Sequence, residues 1–294
     1  MKLAVFNDFR IGVVEGDHVF DVTGTIPDAL QDLSAQRMNW LIANWETAQH
    51  LIKSALRDAP AIKLSEVSLL APNPAPLHVF AAPANYRKHV GELGARSVSK
   101  GRTAREQAFF LKAPGSLVGA GGVIGLPRGS ARRFDHESEL AVIIGKRAWQ
   151  VPRSEAMQHV FGYSCLIDAT MRIEPGVAEE ERSMRKSFAG FTPLGPYLVT
   201  ADEVAEPQNL QNRLWINGEL KQDANTCDMI VDIAELIELI SSVLPLNPGD
   251  VIATGTPEGV GPIAPGDTVR IAIDSVGDMS LQVRENEVRA PRPY

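Results

Sequence analysis

The sequence predicts a β-rich mixed fold of the α/β (α+β) kind, a sandwich or roll rather than a doubly wound sheet. Three observations predict it. Many short apolar runs with strand character follow residue 77, few helix-like stretches separate them, and a proline cluster at 72–76 sets off a small leading unit. With 294 residues, 44% of them hydrophobic, the chain has material for one large domain and a small appendage.

The leading unit is expected over residues 1–72. KLAVF and GVVEGDHVFDV read as short strands turned at Glu15-Gly16-Asp17, where glycine relieves positive-φ strain. Ala48, Leu51, Ile52, Ala55 and Leu56 then recur at three- and four-residue spacing, which predicts a helix. LSEVSLLAP leads into PNPAP at 72–76, whose prolines continue neither a ladder nor a helix. The boundary belongs there, with the larger domain at 77–294.

In that domain strands are predicted at 78–82, 109–112, 137–145, 162–170, 213–222, 250–256, 268–273 and 279–285. Helices are predicted near 85–93, near 154–161 and at 229–242, the last ending before Pro245. Asn217-Gly218 inside a strand pattern marks a hairpin turn, and Pro-Gly-Asp at 248–250 and 265–267 opens a strand each time.

A net charge of −7 and a pI near 5.5 argue against nucleic-acid or anionic-membrane partners. No apolar run approaches the ~20 residues of a membrane helix. The opening MKLAVFNDFR lacks the apolar stretch of a signal peptide. Cys165 and Cys227 lie far apart in no metal-type spacing, so buried structural thiols in a reducing cytoplasm are expected.

FDHESELAVIIG is the most informative segment. Strand alternation puts Glu137, Glu139, Ala141 and Ile143 on one face, so two glutamates project side by side where the face turns apolar. Like charges that close favour protonation of one unless something compensates them. A hard divalent cation would, since Mg²⁺ prefers carboxylate oxygens. Asp168, near the end of the otherwise apolar GYSCLIDAT, is the candidate third ligand. The competing reading is an exposed strand edge, with Asp168 capping a turn. His136 points to the other face and is not a ligand, and zinc lacks a His or Cys set.

Further motifs follow in order: ANYRKHVGE (84–92), FLKAPGSLVG (110–119), ESELAVIIGKRA (137–148), VFGYSCLIDATMR (160–172), KSFAGFTPLGPYLVT (186–200), INGELKQ (216–222) and LNPGDVIATGTPEGVGP (246–262). Together they make the chain resemble the fumarylacetoacetate hydrolase superfamily over roughly residues 77–285. The resemblance implies a mixed β-sandwich roll, a homodimer, and Mg²⁺ or Mn²⁺ held by Glu137, Glu139 and Asp168. It implies that His89 and Glu92, one helical turn apart, activate water. It makes Lys186 the lysine that meets substrate near the metal and Thr256, in TGTP, a hydrogen-bond donor to a substrate carboxylate. Gln222 is a further substrate contact, and Lys112 lies in a family motif without a defined role.

The activity implied is metal-dependent hydrolysis of a carbon–carbon bond in an acylpyruvate-like β-diketo 2-oxo acid, a small anion. Three carboxylates and a dication leave −1, which Lys186 brings near neutrality. The same enolate chemistry without water attack gives tautomerisation, decarboxylation or hydration, and a non-catalytic binding protein on this fold is the alternative of another class. No G-x-S-x-G elbow is present, and Gly119-Ala120-Gly121-Gly122 leads into Leu126-Pro127 rather than a helix, against a dinucleotide site. One departure stands out. Where many members carry Arg-Asp-x-Gln, this chain has Arg172-Ile173-Glu174-Pro175, then the acidic run Glu179–Glu181. Substrate whose distal end differs from fumarylacetoacetate is therefore expected.

Overall fold

The computed structural model describes residues 1–93, 101–173 and 182–287. Among them are an 11-stranded, a five-stranded and a three-stranded sheet. The main path of the largest runs Ala61–Lys63, His18–Asp21, Arg10–Glu15, Lys2–Phe6, Thr192–Thr200, Val160–Ile167, Ser138–Ile144, Val251–Ala253, Val79–Ala81, Phe110–Lys112. Neighbours along this path are antiparallel except Val251–Ala253 and Val79–Ala81, which run parallel. The leading strands continue the same hydrogen-bonded sheet, with Lys2 and Leu3 opposite Val199 and Leu198.

Ser138–Ile144 lies inside that sheet and is buried throughout. Burial on both faces explains why LAVII is a continuous apolar run instead of an alternating one. Leu140, Val142 and Ile144 enter a core shared with Leu214, Ile271 and Leu281 of the five-stranded sheet. Ala141 and Ile143 enter a second core with Leu41 and Ile52, from helices Arg37–Ala43 and Trp45–Ala55. Each large aliphatic side chain so buried contributes about 1.5–3 kcal/mol. The helical stripe is narrower than predicted: Ala48 and Ile52 are buried, whereas Leu51 is 47% exposed.

Several strands escape the sequence pattern. Thr192–Thr200 contains Pro193 and Pro196, which argue against an inner strand. It is accommodated because pairing with Val160–Ile167 shifts register between Tyr163 and Cys165, opposite the stretch that holds Pro196. The strand signal at 213–222 resolves into Gln211–Ile216 and Glu219–Asn225 around the expected Asn217-Gly218 turn. The glycine run at 119–122 serves close packing: a Cβ on Gly119 would lie 2.1 Å from the carbonyl carbon of Leu70. Cys165 is buried as expected, but Cys227 is exposed. No helix among the described residues is long and apolar enough to cross a membrane.

Candidate active site

Strand register brings the acids together. Ser138 pairs with Ile167, so the residues one step further out, Glu137 and Asp168, meet at the end of the ladder. There the Asp168 N–H donates to the Glu137 carbonyl at 2.8 Å. Glu137 itself falls between Phe134–His136 and Ser138–Ile144 rather than within one continuous strand. Glu139, opposite Leu166, lies one pleat further in. All three acids are buried, and each offers an oxygen within 4.8 Å of the others.

The cations around them were only partly foreseen. Lys186 Nζ donates to Glu137 Oε2 (2.7 Å), Asp168 Oδ2 (2.5 Å) and Thr170 Oγ1 (2.8 Å). Fully buried Lys112 donates to Asp168 Oδ1, and also to the Lys186 carbonyl at 2.5 Å and the Phe191 carbonyl at 3.3 Å. Arg172 Nη2 donates to Glu137 Oε1 at 2.6 Å, while its Nε reaches Asp135 Oδ2 at 2.7 Å. Asp135 also accepts from Arg133 Nε at 2.7 Å.

Glu139 differs from its neighbours. It accepts the Gly255 N–H at 2.7 Å but has no ion-pair partner among the described residues. Burial, then repulsion from Asp168 and Glu137, pushes its carboxyl well above the ordinary carboxylate range. Burial acts on Glu137 too, yet Lys186 and Arg172 outweigh it and hold that carboxyl below the usual range. Burial, joined by Lys186, lowers the Lys112 ammonium against the pull of Asp168.

His89 and Glu92 lie on helix Arg87–Leu93. His89 Nδ1 meets Glu92 Oε2 at 3.2 Å, and the Gly259 N–H contacts both Glu92 oxygens at 3.2 and 3.3 Å. The helix is anchored by Asn85, whose amide bonds Val231 and the Thr254 carbonyl. Gly255 follows directly, at φ +96°, and a Cβ there would lie 2.6 Å from the Asn85 Cβ. TGTP is thus the packed junction between the helix carrying His89 and the glutamate pair.

Gln222 and Thr256 sit beside this junction. Gln222 Oε1 accepts from Ser138 N–H (2.9 Å) and His136 Nδ1 (3.2 Å), and its Nε2 donates to Thr256 Oγ1 (2.9 Å) and the Pro257 carbonyl (3.0 Å). The amide's donor and acceptor positions are thus engaged within the chain, which fixes its orientation. His136 faces Gln222, away from the carboxylates, as alternation predicts. Lys112, Arg172, Asn85 and His136 are the members that sequence reasoning left without a role. Glu174, Pro175 and Glu179–Glu181, on which the expected change at the distal pocket rests, lie outside the described residues.

Residues 78–284 match the family described as fumarylacetoacetate (FAA) hydrolase C-terminal. The chain belongs to the fumarylacetoacetate hydrolase family. It is 43% identical over 295 residues to a maleylpyruvate hydrolase of Aquipseudomonas alcaligenes, covering 97% of this chain and 99% of the relative. Its fold matches, with a TM-score of 0.85 and 40% identity, a maleylpyruvate hydrolase from Sphingobium sp. SYK-6 solved with manganese(II) and pyruvate, covering 98% of this chain and all of the other. A probable 2-hydroxyhepta-2,4-diene-1,7-dioate isomerase from Mycobacterium abscessus matches at a TM-score of 0.78 and 30% identity, again over 98% of this chain. The sheet-rich α+β architecture is therefore the family's.

Proposed function

We propose that this chain is a divalent-metal hydrolase that cleaves the carbon–carbon bond between the acyl group and the pyruvate unit of an acylpyruvate. Maleylpyruvate is the foremost substrate, on the likeness to two maleylpyruvate hydrolases. The observation that carries the reading is the buried triad Glu137, Glu139 and Asp168, with oxygens within 4.8 Å of one another, in a chain of this family. The donor set fits a hard divalent cation, because Glu139 is buried among acids without a cation of its own. Mn²⁺ and Mg²⁺ both suit three carboxylate ligands, and Glu137, Glu139 and Asp168 would hold either. When bound, such an ion supplies Lewis acidity that polarises the 2-oxo acid and stabilises enolate charge.

The remaining chemistry falls to side chains. Glu92 accepts from His89 Nδ1–H, which leaves Nε2 with the lone pair that takes a proton from water. Thr256 grips the carboxylate of the pyruvate end, and Lys186 meets it by exchanging one of its contacts to Glu137, Asp168 or Thr170. Charge supports a dianionic substrate. Asp135, Glu137, Glu139 and Asp168 are matched by Arg133, Arg172, Lys112 and Lys186, so a dication leaves an excess that two substrate carboxylates offset. Lys112 and Arg172 thus replace the near-neutral count expected with Lys186 alone.

A homodimer in the cytoplasm, with neither nucleic acid nor membrane as partner, completes the reading, on the family resemblance and the net charge of −7. Residues 1–72 form a small unit before the catalytic domain, a division supported by the family match beginning at residue 78. Purified protein with Mn²⁺ or Mg²⁺ should convert maleylpyruvate to maleate and pyruvate. Its kcat/KM on fumarylacetoacetate should be at least about tenfold lower, equivalent to about 1.4 kcal/mol. Decarboxylated or tautomerised product without pyruvate would move the enzyme to another reaction of the family.

A further inference from the structure

Gln222 is buried and lies 34 residues from Thr256 in sequence, yet its amide is fixed from both sides by groups whose polarity cannot change. The Ser138 N–H can only donate, so the amide atom facing it at 2.9 Å is oxygen. The Pro257 carbonyl can only accept, so the atom facing it at 3.0 Å is nitrogen. His136 Nδ1, 3.2 Å from the same oxygen, must then carry its proton there. The second amide hydrogen is directed at Thr256 Oγ1, 2.9 Å away, in preference to the Glu258 carbonyl at 3.4 Å, and an amide nitrogen offers the hydroxyl no lone pair. Thr256 Oγ1 therefore accepts from Gln222, and among the described residues no acceptor takes its own proton.

We propose that His136 and Gln222 are positioning residues that set the direction of the Thr256 hydroxyl, so that it donates a hydrogen bond to a substrate carboxylate rather than accepting one. The proposal rests on the reading of Thr256 as a substrate contact and assigns the residues that make it a donor. Free rotation would let a threonine hydroxyl present lone pairs to an anion; the relay removes that orientation in advance. It also gives buried His136 a function that needs no contact with metal or substrate.

The test uses full-length protein loaded with Mn²⁺ and pyruvate as the probe, with both affinities measured by calorimetry. Thr256→Val should weaken pyruvate about tenfold, the scale of one lost hydrogen bond to a charged group, while Mn²⁺ affinity stays within about twofold because Thr256 is not a ligand. Thr256→Ser should bind as the parent does. Gln222→Glu replaces the donating nitrogen with a carboxyl oxygen whose one possible proton is drawn to the Pro257 carbonyl. The Thr256 proton then turns back toward residue 222, and pyruvate should weaken by at least about the Thr256→Val factor. The Gln222→Glu/Thr256→Val double variant tests how the effect travels. With a relay, adding Thr256→Val to Gln222→Glu costs little more, whereas independent effects would multiply.

Gln222→Met, which keeps the volume and removes every donor, covers the case in which the buried glutamate prevents folding. It should weaken pyruvate severalfold and lose most of that effect in a Thr256→Val background. Unchanged pyruvate affinity in Thr256→Val would overturn both the substrate contact and the relay. A weakened Thr256→Val with unchanged or simply multiplicative Gln222 variants would overturn the relay alone.

Discussion

At the scale of the residue, the site is a problem of buried charge solved unequally for its three acids. Asp168 and Glu137 are each gripped by two cationic side chains, whereas Glu139 has one backbone N–H. The consequences of neutralising them should therefore diverge. Glu139→Gln removes a charge that burial and two neighbouring carboxylates disfavour, so the metal-free protein should melt no lower than the parent, and higher if the new amide finds a partner. Mn²⁺ affinity should nonetheless fall by about two orders of magnitude or more, because an anionic ligand is gone. Asp168→Asn strips Lys112 and Lys186 of a shared counter-charge, and an uncompensated buried charge costs about 3–5 kcal/mol. Thermal melts of both metal-free variants check the contrast; equal destabilisation would show that Glu139 is compensated after all. His89→Gln should leave Mn²⁺ and pyruvate affinity intact and lower hydrolytic kcat about 10²–10⁴-fold, the scale of a general base. Hydrolysis near the parental rate would remove His89 from the water-activating role.

At the scale of the element, the loop 254–256 couples the helix bearing His89 to the carboxylates. Gly255→Ala adds a Cβ 2.6 Å from the Asn85 Cβ at a backbone φ of +96°, so both crowding and backbone strain oppose it. The loop must shift, and with it the N–H that holds Glu139. The expected outcome is a melting temperature lowered by several degrees together with weaker Mn²⁺ binding. Parental stability with parental affinity would mean that the junction is looser than its packing indicates. Such a junction could not be read from TGTP, which taken alone is only turn chemistry. Glu137 and Glu139 were legible because two charges beside LAVII demand a reason, and Asp168 because it interrupts an apolar strand. Lys112 was not, since its role depends on an acid 56 residues away that no local pattern connects to it. The pairing of His136 with Gln222 spans 86 residues and was hidden for the same reason. The Thr192–Thr200 strand was obscured by prolines that a shifted register makes harmless.

At the scale of the whole molecule, the family match begins at residue 78, yet the sheet and one of its cores do not stop there. Lys2–Phe6 pairs with Thr192–Thr200, and Leu3, Val5, Leu41 and Ile52 share a core with Val79, Ala141, Ile143, Leu166, Leu194 and Leu198. Removing residues 1–76 would leave Thr192–Thr200 unpaired at Leu198 and Val199, beyond the Leu117–Val118 strand that pairs Thr192 and Pro193, and uncover one face of the strands beside Glu137 and Asp168. The large aliphatic side chains on that face, at about 1.5–3 kcal/mol each when fully buried, stand against a typical net folding stability of about 5–15 kcal/mol. Even partial exposure of several consumes most of that margin, and an open apolar edge invites association between chains. The fragment 77–294 should therefore be largely insoluble or aggregated, and any soluble fraction should melt well below the full chain. Size-exclusion chromatography with a thermal melt, and calorimetry with Mn²⁺, decide the matter. A soluble fragment that melts with the full chain and binds Mn²⁺ with parental affinity would show that the leading unit is an appendage to a self-sufficient catalytic domain, not part of what holds its acids in register.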